Sequence, residues 1–243
     1  MQTTSLTPDR MLGDIVTEDL RAAAVMERFG LDYCCGGQRS LGDACQAKSL
    51  AVDEVIGALA ALGPASGTGL KAEWRELDAL TRYIINSHHR YVKDSVPAIN
   101  ASLDKLVAAH GTQHPELDTM RATFRALGDE MMAHMMKEEQ LLFPAIDELA
   151  QRLRGLSPAG PGMFATILHP VRMMEDDHQE AGQFLESLRE LSGGNYDPPT
   201  DGCGTYRACF AELRRFEEDL HRHVHLENNV LFPGALDAER LLG

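Results

Sequence analysis

The sequence predicts an all-α protein, an up-down four-helix bundle preceded by a small helical domain, and three observations carry that expectation. Four long segments, roughly 73–107, 115–152, 170–191 and 203–238, repeat apolar residues at helical spacing. The stretches between them, GTQHP, RGLSPAGPG and SGGNYDPPTDG, are dense in helix breakers. No alternating strand pattern competes, and four helices on short connections are antiparallel neighbours.

Taken in order, the first element is 18-EDLRAAAVMERF-29, whose helix formers carry apolar spacing and whose end is marked by Gly30; 52-VDEVIGALAAL-62 reads as another helix. About 60 residues supply only a marginal core, so this part is expected to lean on the rest. The Gly/Pro/Ser-rich 63-GPASGTG-69 has linker composition. The expected division is therefore a small domain at 1–62, a linker at 63–72 and the bundle at 73–243. Trp74, just beyond, is read as a packing residue.

Composition narrows the class. With 243 residues, 44% apolar and 25% charged, the chain has material for a sizeable core. A net charge of −14 without a basic stripe argues against nucleic acid. No run of about 18 apolar residues suggests a membrane span, and the N-terminus lacks an apolar signal core, so a cytoplasmic protein is expected. The five cysteines, at 34, 35, 45, 203 and 209, form no spaced CxxC and indicate neither a disulfide framework nor a thiolate zinc site.

A repeat points to chemistry. The segment 134-HMMKEEQLLFP-144 returns as 223-HVHLENNVLFP-233, so His134 and Glu138 recur 89 residues later as His223 and Glu227. The same offset pairs His89 with His178, and no other histidine finds a histidine partner. Each half then spaces its two histidines by 45 residues. At i and i+4 an imidazole and a carboxylate point the same way from a helix. Two such glutamates buried in a core would carry a heavy desolvation penalty and repel each other unless cations compensate. Four imidazoles and two bridging carboxylates suit two metal ions. Without thiolate the set favours iron or manganese, ligand type alone leaves zinc and copper open, and iron is the expectation. Glu130 and its repeat partner Asp219, each one turn before a ligand histidine, are candidates for orienting the imidazole, with a solvated acidic face as the alternative. His88, His110, His114, His169, His221 and His225 are read as ordinary core or surface histidines. The Met pairs at 131–132, 135–136 and 173–174 are read as core filling.

At these motifs, together with 32-DYCCGG-37 and 174-MEDDHQEAG-182, the sequence resembles the repair-of-iron-centres family, hemerythrin-like di-iron proteins linked to recovery of iron–sulfur clusters after nitrosative and oxidative stress. The resemblance covers nearly the whole chain. It implies an oxo- or hydroxo-bridged pair of iron ions ligated by His89, His134, His178 and His223 and bridged by Glu138 and Glu227, the set that the repeat gives by itself. It also implies damaged iron–sulfur proteins as partners, nitric oxide or dioxygen as small ligand, and a monomer or homodimer. Cys34 and Cys35 are adjacent, which disfavours a disulfide between them; the alternatives are two small buried residues before a turn, or a reactive thiol pair, which the resemblance favours. Cys45, Cys203 and Cys209 are read as packing.

Three activities are open at this stage. The first is cluster repair, by iron donation or by reduction of nitric oxide to nitrous oxide. The second is dioxygen carriage or sensing, as in hemerythrin proper; the fifth histidine expected four residues after His178 is replaced here by Gly182. The third, a ferritin-like oxidase, would need its ExxH strings in both halves, yet 175-EDDH-178 and 218-EDLH-221 both fall in the last two helices.

Overall fold

The computed structural model describes residues 6–64, 76–157 and 164–242. Most of the expected linker and Trp74 lie outside the described residues. Among those described, the regular elements are helices, with one isolated bridge between Met11 and Ser40. They are α1 (Leu12–Glu18), α2 (Ala22–Arg28), α3 (Leu41–Ala47), α4 (Val52–Ala60), α5 (Leu77–Ile84), α6 (Arg90–His110), α7 (Glu116–Lys137), α8 (Phe143–Leu153), α9 (Leu168–Leu191), α10 (Gly204–Leu226) and α11 (Phe232–Leu242). Among the described residues, no helix is long and apolar enough to cross a membrane.

Three of the junctions are π-helical turns, at Ile85–His89, Glu138–Leu142 and Glu227–Leu231, so α5 continues into α6, α7 into α8 and α10 into α11. In two of them the Phe143 and Phe232 amides donate to the Glu138 and Glu227 carbonyls, five residues back instead of four. The next residue in each is a proline, Pro144 or Pro233, which has no amide to continue the ordinary ladder. The repeated Leu-Phe-Pro is thus the exit of a π turn.

The chain resolves into two compact units. One comprises Arg82–Ala145 and Pro161–Leu220 and forms a closed ring of four helices. Lys93 meets Glu139 at 2.6 Å while Asp104 meets Arg125 at 2.7 Å, so α6 and α7 run antiparallel. α9 packs on α7, Arg189 of α9 meets the buried Glu217 of α10 at 2.7 Å, and Tyr91 of α6 lies against Phe216 of α10. At the centre, Phe124 and Phe216 meet edge to face, their centroids 5.2 Å apart. The methionine pairs do not all fill this core. Met131, Met135 and Met174 are buried, but Met132, Met136 and Met173 are 42%, 53% and 57% exposed, because adjacent helical residues point about 100° apart.

The other unit comprises Met1–Thr81, Ile146–Gly160 and His221–Gly243. The helix expected over 18–29 is interrupted: α1 ends at Glu18 and Asp19 is extended (φ −146°, ψ 102°). The Asp19 carboxylate accepts from the Arg21 backbone at 3.0 Å and from its guanidinium at 2.6 Å, offering the chain a local alternative to the helix. The Arg21 guanidinium also donates to the Leu62 carbonyl at 2.9 Å, tying the end of α4 to this corner. Gly30, at φ +63°, closes α2, and the Leu31 amide donates back to Met26. Leu12, Val16, Met26, Leu41 and Val55 are buried, and α1 packs on the π turn Glu227–Leu231.

Candidate metal centre

In the four-helix unit, three elements bring histidines towards one carboxylate. His89 closes the first π turn, His134 lies one turn before the end of α7, Glu138 opens the second π turn, and His178 sits mid-way along α9. All four are buried, Glu138 and His89 completely. His89 Nε2 and His134 Nε2 each lie 3.3 Å from Glu138 Oε2, and His134 Nε2 lies 3.0 Å from His178 Nε2. His89 stacks on Phe143, which holds its ring plane.

The outer nitrogens decide the tautomer. His89 Nδ1 donates to Glu139 at 2.8 Å, and His134 Nδ1 donates to Asp177 at 3.2 Å. Lys93 and Lys137 meet the same two carboxylates at 2.6 and 2.7 Å. The His134 imidazole and then Lys137 hold the Asp177 carboxyl down to about 2, against the opposing effect of burial. Burial likewise opposes ionisation of Glu139, but Lys93 and His89 outweigh it and lower that carboxyl. Both carboxylates are therefore acceptors, so His89 and His134 donate through Nδ1 and, when neutral, present a lone pair at Nε2 on the side of the Glu138 carboxylate. Nitrogen and oxygen lone pairs converging in a buried place fit a cation, and His134, Glu138 and His178 offer ligand atoms close enough together to share one.

In the second unit, His223 and Glu227 repeat the His134–Glu138 register. Both are completely buried, with His223 Nε2 2.9 Å from Glu227 Oε1, and Glu227 again opens a π turn. The next residues of that turn reach the cysteine loop. Asn229 Nδ2 donates to the carbonyls of Cys34 at 3.0 Å and Tyr33 at 3.2 Å, and Asn228 lies 3.5 Å from the Cys34 carbonyl. A Cβ on Gly37 would collide with the Asn229 side chain, which is why a residue without one stands there. Within the loop, the Asp32 carboxylate accepts from the amides of Cys34, Cys35 and Gly36 and from the Cys34 thiol at 3.2 Å. Cys34 is buried and Cys35 half-buried. The neighbouring Cys35 thiol, burial and Asp32 together push the Cys34 thiol well above its ordinary range.

The remaining candidates fall as follows. Glu130 is exposed on α7, and the carboxylate at His134 Nδ1 is Asp177. Asp219 meets His88 Nδ1 at 3.1 Å through both oxygens, with Tyr83 edge-on to the same imidazole. His225 is buried against Tyr33 with Thr17 at 3.4 Å, and burial pushes it down to about 4, so it is neutral. Glu139, Asp177 and Asn229 were not among the sequence candidates. The 89-residue offset sets Glu139 against Asn228 and Asp177 against His88, so subtraction of the repeat hides them. What the sequence offers is that Glu139 directly follows Glu138 and Asp177 directly precedes His178.

A family model described as hemerythrin HHE cation binding domain matches residues 80–235, and one described as ScdA_N, a domain of unknown function, matches residues 8–63. The iron-sulfur cluster repair protein YtfE of Enterobacter sp. (strain 638) is 32% identical over 233 residues, which is 95% of this chain and 98% of that protein. The proteins of the same name from Escherichia coli O1:K1 / APEC and Escherichia fergusonii match with the same identity and coverage. With one model matched over more than half of the chain and relatives aligned over nearly their whole length, the chain belongs to the hemerythrin HHE family.

Proposed function

We propose that this protein repairs damaged iron–sulfur clusters and holds two iron ions for that purpose, ligated by His89, His134, His178 and His223 and bridged by Glu138 and Glu227. The observation that carries the reading is the buried Glu138 carboxylate faced by imidazole nitrogens whose opposite sides are already committed to Glu139 and Asp177. Its register recurs at His223 and Glu227, and the whole chain is similar to proteins named for cluster repair. When bound, the irons supply either the ion that a damaged cluster lacks or one electron each for reducing two nitric oxide molecules, with two protons, to nitrous oxide and water.

The chain's own residues have separable tasks. The four histidines offer ring nitrogens to the metal, Glu139 and Asp177 orient two of the rings, and the paired Lys93 and Lys137 keep those carboxylates ionised. The surrounding apolar side chains exclude water. Cys34 and Cys35 are proposed to exchange iron with the client protein. Because Cys34 is buried and its thiol is held protonated, the loop must first part from Asn229 before a thiolate can form. Dioxygen carriage is the weaker reading, since Gly182 replaces the extra histidine that would make the two irons unlike.

Metal analysis of the anaerobically purified protein tests this. Two irons per chain are expected, with most of the metal lost in His134→Ala and His223→Ala and retained in His88→Ala and His225→Ala. One zinc per chain, or metal retained in His134→Ala, would overturn the ligand assignment. Giving the reduced protein nitric oxide or an apo iron–sulfur enzyme in separate vessels then decides between the two activities.

A further inference from the structure

A thiol outside the double-cysteine loop has an imidazole partner. Cys203 is exposed and stands immediately before α10, in the position that caps a long helix. Serine, threonine, aspartate or asparagine is usual there, because their oxygen accepts the first amides of the helix. Here a cysteine takes that place. From α6, His110 Nε2 approaches the same sulfur at 3.3 Å. The imidazole is held edge-on against Tyr206, whose ring is buried, at 5.7 Å between centroids. An exposed thiol at the start of a helix with an imidazole partner is an arrangement that stabilises a thiolate, and neither residue has been given a role above.

We propose that Cys203 and His110 form a thiolate–imidazole pair that serves as a reversible modification site, accepting a thiol group from low-molecular-weight disulfides. The sulfur of Cys203 attacks one sulfur of the small disulfide, a new S–S bond forms, the old one breaks, and the second half leaves as a thiolate that takes a proton from solvent. No electrons enter or leave, so the small disulfide is the only co-reactant. A second small thiol reverses the step.

At this sulfur stand His110 from α6 and the first turn of α10 with Tyr206; around the pair, His114 meets Glu116 and Asp201, and Arg207 donates to the Gly202 carbonyl. Of these, the Tyr206 amide and then His110 bring the Cys203 thiol down to about 7. An ordinary exposed thiol titrates at about 8.5. At pH 6 the lower value gives Cys203 about thirty times the thiolate of such a thiol. A weaker thiolate is also a poorer nucleophile, which leaves a net advantage of about sixfold.

The test uses the full chain with iodoacetamide as probe, following each of the five cysteines by peptide mass. Cys203 is expected to react about sixfold faster than a free small thiol at pH 6, with its rate half-maximal near 7. In His110→Gln, checked for unchanged helix content, the midpoint moves towards 8.5 and the pH 6 advantage shrinks. With glutathione disulfide, the mixed disulfide forms first on Cys203 and dithiothreitol removes it. A wild-type midpoint at 8.5, an unmoved midpoint in His110→Gln, or first modification at Cys35 would each overturn the proposal.

Discussion

Replacing Asn229 with alanine isolates what holds the double-cysteine loop in place. The side chain donates to the Cys34 carbonyl at 3.0 Å and the Tyr33 carbonyl at 3.2 Å. A hydrogen bond of this kind contributes about 0.5–1.5 kcal/mol net, so losing two costs about 1–3 kcal/mol. If that cost falls on local opening of the loop, then at about 1.4 kcal/mol per factor of ten the open fraction rises roughly 5- to 150-fold, about 30-fold at the midpoint. Cys34 is 6% exposed in the closed loop, so its labelling rate reports the opening. The assay is time-resolved alkylation of Cys34 in the wild type and in Asn229→Ala, with Cys45, buried in α3, as internal standard. Asn229→Asp should label faster still, since a carboxylate would then face two carbonyl oxygens. A change in Cys34 labelling of less than twofold in both variants would refute the clamp and with it the view that opening of the loop precedes thiol chemistry.

Three further outcomes are expected. Asp177→Asn weakens the hold on the His134 ring and should lower iron affinity about 10- to 100-fold in chelator competition, whereas Glu130→Gln should leave it unchanged. Phe124→Ala empties the centre of the four-helix unit and should cost about 3–5 kcal/mol, a fall in melting temperature of about 6–20 °C by calorimetry. His114 is raised above its usual range, by Glu116 first and by Asp201. Its contribution is thus fully present below about pH 6.5 and lost as the pH rises through the folded value, so His114→Ala should flatten the loss of urea resistance between pH 6 and pH 8.

The four long helical stretches were legible because period and punctuation agree over them: the segment expected at 115–152 is found at Glu116–Leu153 across α7 and α8. The break at Asp19 was not legible, because the run from Glu18 to Phe29 has good helical spacing and the competing interaction is a side chain turning back on its own backbone. The His–Glu repeat was legible because two copies in one chain act as each other's control. The carboxylates behind the imidazoles were not. Glu139 and Asp177 do not repeat, and which residue reaches a ring nitrogen depends on how neighbouring helices are phased. Cys203 shows the same limit, since its partner His110 is 93 residues away in sequence.

The π turns have a bearing on how the gene can change. Each contains one residue more than an α-helix needs, so deleting a single codon between Glu227 and Leu231 would leave an unbroken, better-bonded helix. The register after it would stay nearly in phase, because the wide turn spreads its five residues over about the rotation that four take in an α-helix. Phe232, Ala235 and Ala238, now buried, would keep their places, and what would be lost is the widened turn that Glu227 opens. In an ordinary helix the same loss of three nucleotides would turn everything downstream by about 100°, so the π turns at Glu138 and Glu227 are the points where the chain can shorten by one residue with least disturbance to the core.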